Sequence, residues 1–107
     1  MSNAVEVTRM SELKDVIANN DKVLVDFSRA EGCVWCKRLA PHFEAAAGMA
    51  TDTTFVVADV DQDAALLHEL MDQGFRSVPT VLLFENGERV AEVKSRTALQ
   101  IVGEIKR

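Results

Sequence analysis

The sequence lacks the marks of membrane, secreted and multidomain proteins. No apolar run approaches the ~18 residues that a membrane-spanning helix needs. Residues 1–20 contain neither a basic segment nor an apolar segment of about 7–15 residues, so we expect no signal peptide and a reducing, cytoplasmic environment. Repeats, low-complexity tracts and linkers rich in proline or glycine are also absent, which predicts a single domain over residues 1–107.

Positive charge is in deficit as well. The chain has 12 Lys and Arg against 17 Asp and Glu, so its formal net charge is −5. Nucleic acids and anionic membranes attract basic surfaces, so we expect neither as a partner. Hydrophobic residues make up 48% of the chain, and this share favours a packed core over disorder.

Apolar patterns predict strands and helices in the order βαβαβαββα, a mixed α/β sandwich with parallel crossover strands and an antiparallel hairpin. Residues 22–28 are apolar around a single acid, Asp26, which is typical of a strand buried on both faces. The segment "ENGE" predicts the hairpin, because Asn-Gly favours a tight turn between two strands. The predicted strands are residues 5–8, 22–28, 54–60, 80–84 and 89–93.

Helices are predicted between these strands and after the last one. Their expected starts are Ser11 as the N-cap of the first, Cys33 for the second, Asp63 for the third and Thr97 for the fourth. In the third helix, Ala64, Leu67 and Met71 are expected to share one apolar face. Gly74 is the predicted C-terminal stop of that helix.

Both cysteines lie in the segment "CVWC", and three alternatives to a redox pair can be weighed. Structural zinc usually needs four Cys or His ligands, and on a helical wheel His42 faces about 180° from Cys33, while His68 lies in another helix. A zinc site shared between two chains stays open. A structural disulfide between Cys33 and Cys36 would close a very small loop and constrain the unfolded chain little. Two buried free thiols are the remaining alternative.

A redox pair has a physical mechanism at this position. A cysteine at the N-cap of a helix faces unpaired backbone amides and the positive end of the helix dipole, and both lower its pKa. Cys33 is therefore the candidate thiolate, and we expect the amides of Trp35 and Cys36 to reach back to its sulfur. Cys36 follows one turn later and is expected to be less exposed, so it would act second and close the disulfide.

Several segments resemble the thioredoxin family over nearly the full length of the chain. "VLVDF" resembles the strand before the family's cysteine pair, and "CVWCKRLAP" its Cys-x-x-Cys-Lys with a proline in the same helix. "SVPT" resembles the family's cis-proline loop and "LLFENGE" its terminal hairpin.

The resemblance implies a thioredoxin fold with a five-stranded sheet ordered β1-β3-β2-β4-β5 and flanked by four helices. It implies that Cys33 attacks, that Cys36 resolves and that the bond between Val78 and Pro79 is cis. The backbone of Val78 would then pair with an extended target segment. The substrates would be protein disulfides and the electron donor a reductase or a small dithiol, with no cofactor, and we expect a monomer.

The chain also departs from the family pattern near the cysteines. Gly32 stands where thioredoxins usually carry a tryptophan, and Val34-Trp35 replaces their Gly-Pro. A lysine that is common on the third strand aligns with Val57. The loop before the last helix is the shortened, charged segment "KSRT", residues 94–97.

Three more residues are candidates for the site. Burial among apolar neighbours would raise the pKa of Asp26, so that it can exchange a proton with Cys36; the alternative is a carboxylate satisfied by hydrogen bonds near a sheet edge. We expect Trp35 to be exposed and to contact targets, although its spacing to Leu39 also fits a core stripe. A trans proline that opens an edge strand is the alternative for Pro79.

These features predict a thiol–disulfide oxidoreductase that reduces protein disulfides through a mixed disulfide on Cys33. One rival is a glutaredoxin-like enzyme that uses glutathione, although "GERVAEVKS" lacks the Gly-Gly-Asp-like segment expected for the carboxylate of the tripeptide. The other is a redox-silent, thioredoxin-like binding module, which has no use for an intact cysteine pair.

Overall fold

The computed structural model describes residues 2–106, and within them the elements follow the predicted order. The strands are β1 (Val5–Val7), β2 (Lys22–Ser28), β3 (Thr54–Asp59), β4 (Thr80–Glu85) and β5 (Glu88–Val93). The helices are α1 (Met10–Asn19), α2 (Val34–Met49), α3 (Ala64–Asp72) and α4 (Ala98–Ile105). No helix in this part of the chain is long and apolar enough to cross a membrane.

The strands form one mixed sheet in the expected order β1-β3-β2-β4-β5. β3 is parallel to β1 and β2, whereas β4 is antiparallel to β2 and β5. The nearly uninterrupted apolar run of β2 is explained by its place between β3 and β4, where all of its residues from 23 to 28 are buried. In the predicted hairpin, Asn86 and Gly87 have φ angles of 51° and 87°, the left-handed pair that a tight turn between β4 and β5 requires.

Two hydrophobic layers cover the sheet, one on each face. Leu24 packs with residues of α2 and α4, while Val23, Val25 and Phe27 pack with residues of α1 and α3. Side chains alternate between the faces of a strand, so Asp26 shares its face with Leu24. The single acid of the central strand therefore points toward the layer formed by α2 and α4.

The first helix begins before the predicted cap. Arg9 is the N-cap and Ser11 lies inside α1, so the prediction for Ser11 is wrong. Two carboxylates explain the earlier start, since Glu12 accepts hydrogen bonds from the amides of Thr8 and Arg9, and Asp63 accepts one from the amide of Met10. These carboxylates thus satisfy amides at the start of the helix without a serine side chain.

The buried face of α3 also differs from the prediction. Leu66 and Leu70 are fully buried, whereas Ala64 and Met71 are exposed and Leu67 is only partly buried. Apolar residues occur on two sides of this helix, and the side with Leu66 and Leu70 packs into the core, which removes the apolar surface of two leucines from water.

The predicted end of α3 is confirmed. The amide of Gly74 donates to the carbonyl of Met71, and the amide of Phe75 donates to that of Leu70. This pair of bonds closes the last turn at the predicted glycine.

Candidate active site

The cysteine pair lies where β2 passes into α2. Cys33 is the N-cap of α2, with an extended backbone (φ −131°, ψ 98°) that stops the helix from starting earlier. Its sulfur occupies the position that a serine or aspartate oxygen usually takes, and it accepts a hydrogen bond of 3.2 Å from the amide of Cys36. The two residues form a disulfide, with their Cα atoms 5.3 Å apart.

One expected contact is missing from this cap. Among residues 2–106, the amide of Cys36 is the only backbone donor to the sulfur of Cys33, so the prediction that the Trp35 amide also donates is wrong. The cap carbonyl instead accepts from the amide of Lys37, as in the first bond of an ordinary helix. A proline at position 35 would therefore remove no hydrogen bond to this sulfur.

The two cysteines differ in exposure. Cys33 is partly buried and lines an open groove with Gly32, Val34 and Val78. Cys36 is buried, with 3% of its surface exposed. A target disulfide approaching from solvent therefore reaches the sulfur of Cys33 first.

Asp26 is a buried carboxyl group without a compensating partner. It is 2% exposed, and within the described residues its Oδ1 atom has no hydrogen-bond partner. Burial raises the pKa of Asp26 from 3.8 to about 7, while the positive charge of Arg96 acts in the opposite direction. Asp26 lies opposite Val57 on β3 and Val81 on β4, so it is neither at a sheet edge nor beside a cation on the neighbouring strands.

Trp35 is exposed, as predicted. About 65% of its surface is accessible, and the guanidinium carbon of Arg38 lies 4.8 Å from its ring centroid. Leu39 and Phe43 are buried without it, so the apolar stripe of α2 begins one turn after the tryptophan. The indole therefore stands beside the disulfide as a surface available for contact.

The loop before β4 faces the disulfide. The peptide bond between Val78 and Pro79 is cis, as expected from the resemblance. The carbonyl oxygen of Val78 lies 3.9 Å from the sulfur of Cys33. Within the described residues, Val78 makes no hydrogen bond to another backbone group, while the hydroxyl of Thr80 donates to the carbonyl of Ser77 and holds the loop. One residue beside the reactive sulfur thus has a free backbone edge.

Arginines around the pair are the residues that the sequence analysis missed. Arg38 and Arg96 line a groove on the α2 side of Pro79, and Arg29 and Arg76 line the groove that holds Cys33. The charged loop at residues 94–97 was the available signal for Arg96. Arg29 and Arg38 flank the cysteine pair in the sequence, whereas Arg76 and Arg96 reach it only through the fold.

A metal centre is not part of this arrangement. Within residues 2–106, no group of three or more His, Cys, Asp or Glu side chains is placed to hold a metal ion. His42 lies along the α2 groove with Arg38 and not with the cysteines.

Comparisons with known proteins agree with this geometry. The chain is 33% identical over 101 residues to thioredoxin-1 of Schizosaccharomyces pombe, and the match covers 94% of both chains. It is 42% identical over 82 residues to a thioredoxin of Mycoplasmoides gallisepticum, covering 77% of this chain and 78% of the relative. A solved thioredoxin of Plasmodium falciparum superimposes with a TM-score of 0.81 at 28% identity, covering 96% of this chain and 97% of that one. The thioredoxin family model matches residues 4–107. The chain therefore belongs to the thioredoxin family.

Proposed function

We propose that Cys33 is the attacking thiolate, Cys36 the resolving thiol and Asp26 the proton acceptor of this thiol–disulfide oxidoreductase. The chain is a protein-disulfide reductase by family, and its cysteines form the disulfide that such an enzyme cycles. The observation that carries the assignment of roles is the difference in exposure, with Cys33 at a groove and Cys36 buried behind it.

The first step is attack on the target. In the reduced enzyme, the amide of Cys36 and the N-terminus of α2 stabilise negative charge on the sulfur of Cys33. This thiolate attacks one sulfur of the target disulfide, and the target S–S bond breaks as the new S–S bond forms. The second target sulfur leaves as a thiolate and takes a proton from solvent.

The second step is resolution of the mixed disulfide. The thiol of Cys36 is buried, so it needs a nearby base to become nucleophilic. Asp26 points toward the layer that contains α2, and a pKa of about 7 leaves its carboxylate able to accept that proton at neutral pH. The sulfur of Cys36 then attacks that of Cys33, and the released target thiolate is protonated. Two electrons have passed from the enzyme dithiol to the target.

A solvent route supports proton exchange in this buried region. A groove of about 370 Å³ reaches Cys36, and Ser28, Val57 and Lys37 are among its lining residues. Ser28 shares the face of β2 with Asp26, and Val57 is paired with Asp26 across the sheet. Water entering there would meet Cys36 directly and would lie beside two residues that neighbour Asp26.

Target binding is assigned to Val78, Pro79 and Trp35. The unpaired backbone of Val78 offers hydrogen bonds to an extended segment beside the disulfide under attack. Pro79 follows this backbone edge directly and lines the groove on the α2 side of the loop. The exposed indole of Trp35 lines the same groove as Cys33 and Val78 and supplies apolar contact area.

Trapping tests the roles of the cysteines. Cys36→Ser keeps the attacking sulfur but removes the resolving one. We therefore expect this variant to accumulate mixed disulfides with insulin, whose disulfides are intact, and with proteins of a cell extract. Cys33→Ser is the matched control, and we expect it to trap far fewer. Equal trapping by both variants would show that the roles are not divided as proposed.

An insulin assay separates the two rival functions. We expect the protein to accelerate insulin reduction with dithiothreitol alone. A glutathione-dependent enzyme would need glutathione, and a binding module would accelerate nothing with either reductant. Neither rival is favoured by family membership or by the intact disulfide.

We further propose that residues 1–107 form one domain and that the protein is cytoplasmic and monomeric. Its net charge of −5 supports the absence of nucleic-acid and membrane partners. Electrons would come from a reductase or a small dithiol. Size-exclusion chromatography with light scattering measures the oligomeric state directly.

A further inference from the structure

Cationic side chains are concentrated around the reactive sulfur of an otherwise acidic protein. Four arginines line the two grooves beside the disulfide, although the chain as a whole carries a net charge of −5. Within the described part of the chain, neither groove is lined by an aspartate or a glutamate. A local field of this sign concentrates negatively charged ligands at the site.

The groove on the α2 side of Pro79 is the more specific of the two. It has a volume of about 440 Å³, with buried Leu39 and Pro79 contributing apolar surface. Trp35 and Arg38 line one part of it and Arg96 another. Trp35 lines both this groove and the one that holds Cys33, and Pro79 follows Val78 of that second groove, so a polypeptide whose disulfide meets Cys33 can continue into this groove.

Both guanidinium groups of this groove are held in place without an acidic partner. Arg96 donates from Nη1 to the carbonyls of Val93 and Ser95, each at 3.1 Å. Arg38 lies over the ring of Trp35. In residues 2–106 the sole ion pair is that of Arg29 with Asp61, so neither Arg38 nor Arg96 forms an ion pair with a carboxylate in this part of the chain. A guanidinium that is already anchored loses little conformational freedom when it binds a carboxylate.

We infer that this groove selects target disulfides whose flanking segment carries an aspartate or glutamate, with Arg96 and Arg38 as the residues that bind the carboxylate. The inference rests on the proposed function, because the segment is delivered by the disulfide that Cys33 attacks. The occupant is an extended polypeptide, since the site combines the free backbone of Val78, an apolar floor and cations. An extended strand advances about 3.3 Å per residue, so a peptide series that places the acidic residue about two to four positions from the target cysteine samples the length of the groove.

Matched peptides test this selectivity. Each peptide carries one cysteine disulfide-bonded to a small chromogenic thiol, and the series differs only in Asp, Asn or Lys at those flanking positions. We expect kcat/KM at low ionic strength to be about fivefold higher for the Asp peptide than for the Asn peptide, which corresponds to about 1 kcal/mol. The Lys peptide should be the poorest, and added salt should shrink the differences because exposed charges are screened.

Variants locate the source of the selectivity. Arg96→Gln and Arg38→Gln should each lower the Asp/Asn ratio toward one, and Arg96→Lys should keep part of it. Lys14→Gln, on an exposed position of α1, removes the same charge and should leave the ratio unchanged. The ratio is the readout because any change in the general rate affects both peptides equally.

The outcomes separate this inference from the function on which it rests. Reduction of Asp, Asn and Lys peptides at equal rates by the wild-type protein would overturn the selectivity and leave the reductase intact. A ratio unchanged in both arginine variants would also overturn it. Failure to reduce any peptide, while free dithiothreitol does so, would overturn both.

Discussion

Replacing Asp26 by asparagine gives the sharpest test of the buried carboxyl group. The pKa of Asp26 is raised from 3.8 to about 7 by burial, so the folded protein holds its proton where the unfolded chain has released it. The stabilising effect of that proton is fully present below the unfolded pKa near 3.8. This stabilisation is lost as the pH rises through about 7, because above that pH the folded protein carries a buried negative charge on Asp26. A difference of about 3 pKa units corresponds to about 4 kcal/mol of lost stability at high pH.

Asparagine removes the charge at every pH. We therefore expect Asp26→Asn to be more stable than the wild type, and the difference to grow by about 2–3 kcal/mol between pH 5 and pH 8.5. The absolute difference is less informative, because a buried amide without partners has its own cost of about 1–3 kcal/mol. That cost does not vary with pH, so the change between the two pH values isolates the carboxyl group.

Urea unfolding of the oxidised protein at pH 5 and pH 8.5 measures the effect. Asp15→Asn is a suitable control, because Asp15 is exposed on α1 and the variant loses the same negative charge. A difference between wild type and Asp26→Asn that stays constant across this range would refute the reasoning, since the carboxyl group would then have an ordinary pKa in the folded state. A less stable Asn variant at pH 8.5 would mean that Asp26 is a satisfied structural acid.

Three further predictions concern the surroundings of the disulfide. Arg96→Gln removes the positive charge that lowers the pKa of Asp26. In the same unfolding assay, the pH at which stability falls should therefore be higher for this variant than for the wild type. The fluorescence of Trp35, the only tryptophan, should rise when the neighbouring disulfide is reduced; emission indifferent to dithiothreitol would place the indole out of reach of the sulfurs. Trp35→Pro and Trp35→Ala should have the same pH midpoint for alkylation of Cys33, because the amide at position 35 donates no hydrogen bond to its sulfur. A lower midpoint for the alanine variant would show that this amide does donate to the thiolate.

The sequence was sufficient for most of the fold because its local signals agree with the tertiary packing. Asn86-Gly87, Gly74 and the apolar run of β2 each have one dominant structural meaning, and the structure bears out all three. The start of α1 was mispredicted because Asp63, which satisfies the amide of Met10, is 53 residues away. No local capping pattern contains such a contact.

The site was predictable in its chemistry but not in its electrostatics. Two cysteines three residues apart at a strand-to-helix junction indicate redox chemistry by themselves, and the apolar neighbours of Asp26 indicate its burial. The convergence of Arg38 and Arg96 could not be predicted, because it depends on how the loop before α4 approaches α2. The face of α3 was mispredicted for a similar reason, since two apolar stripes compete and only the packing of the sheet decides between them.

The two edge strands of the sheet, β1 and β5, are poorly suited to pair with an added strand. β1 contributes three residues at one edge, too few to template a long added strand. At the other edge, β5 presents Glu88 and Arg89 to solvent, and the register shift between Leu83 and Phe84 interrupts its regular pairing with β4. Both borders therefore discourage edge-to-edge association between copies of the protein. Under the proposed function, an incoming extended chain would pair with the unoccupied backbone edge at Val78 instead, where the carbonyl oxygen lies 3.9 Å from the sulfur of Cys33.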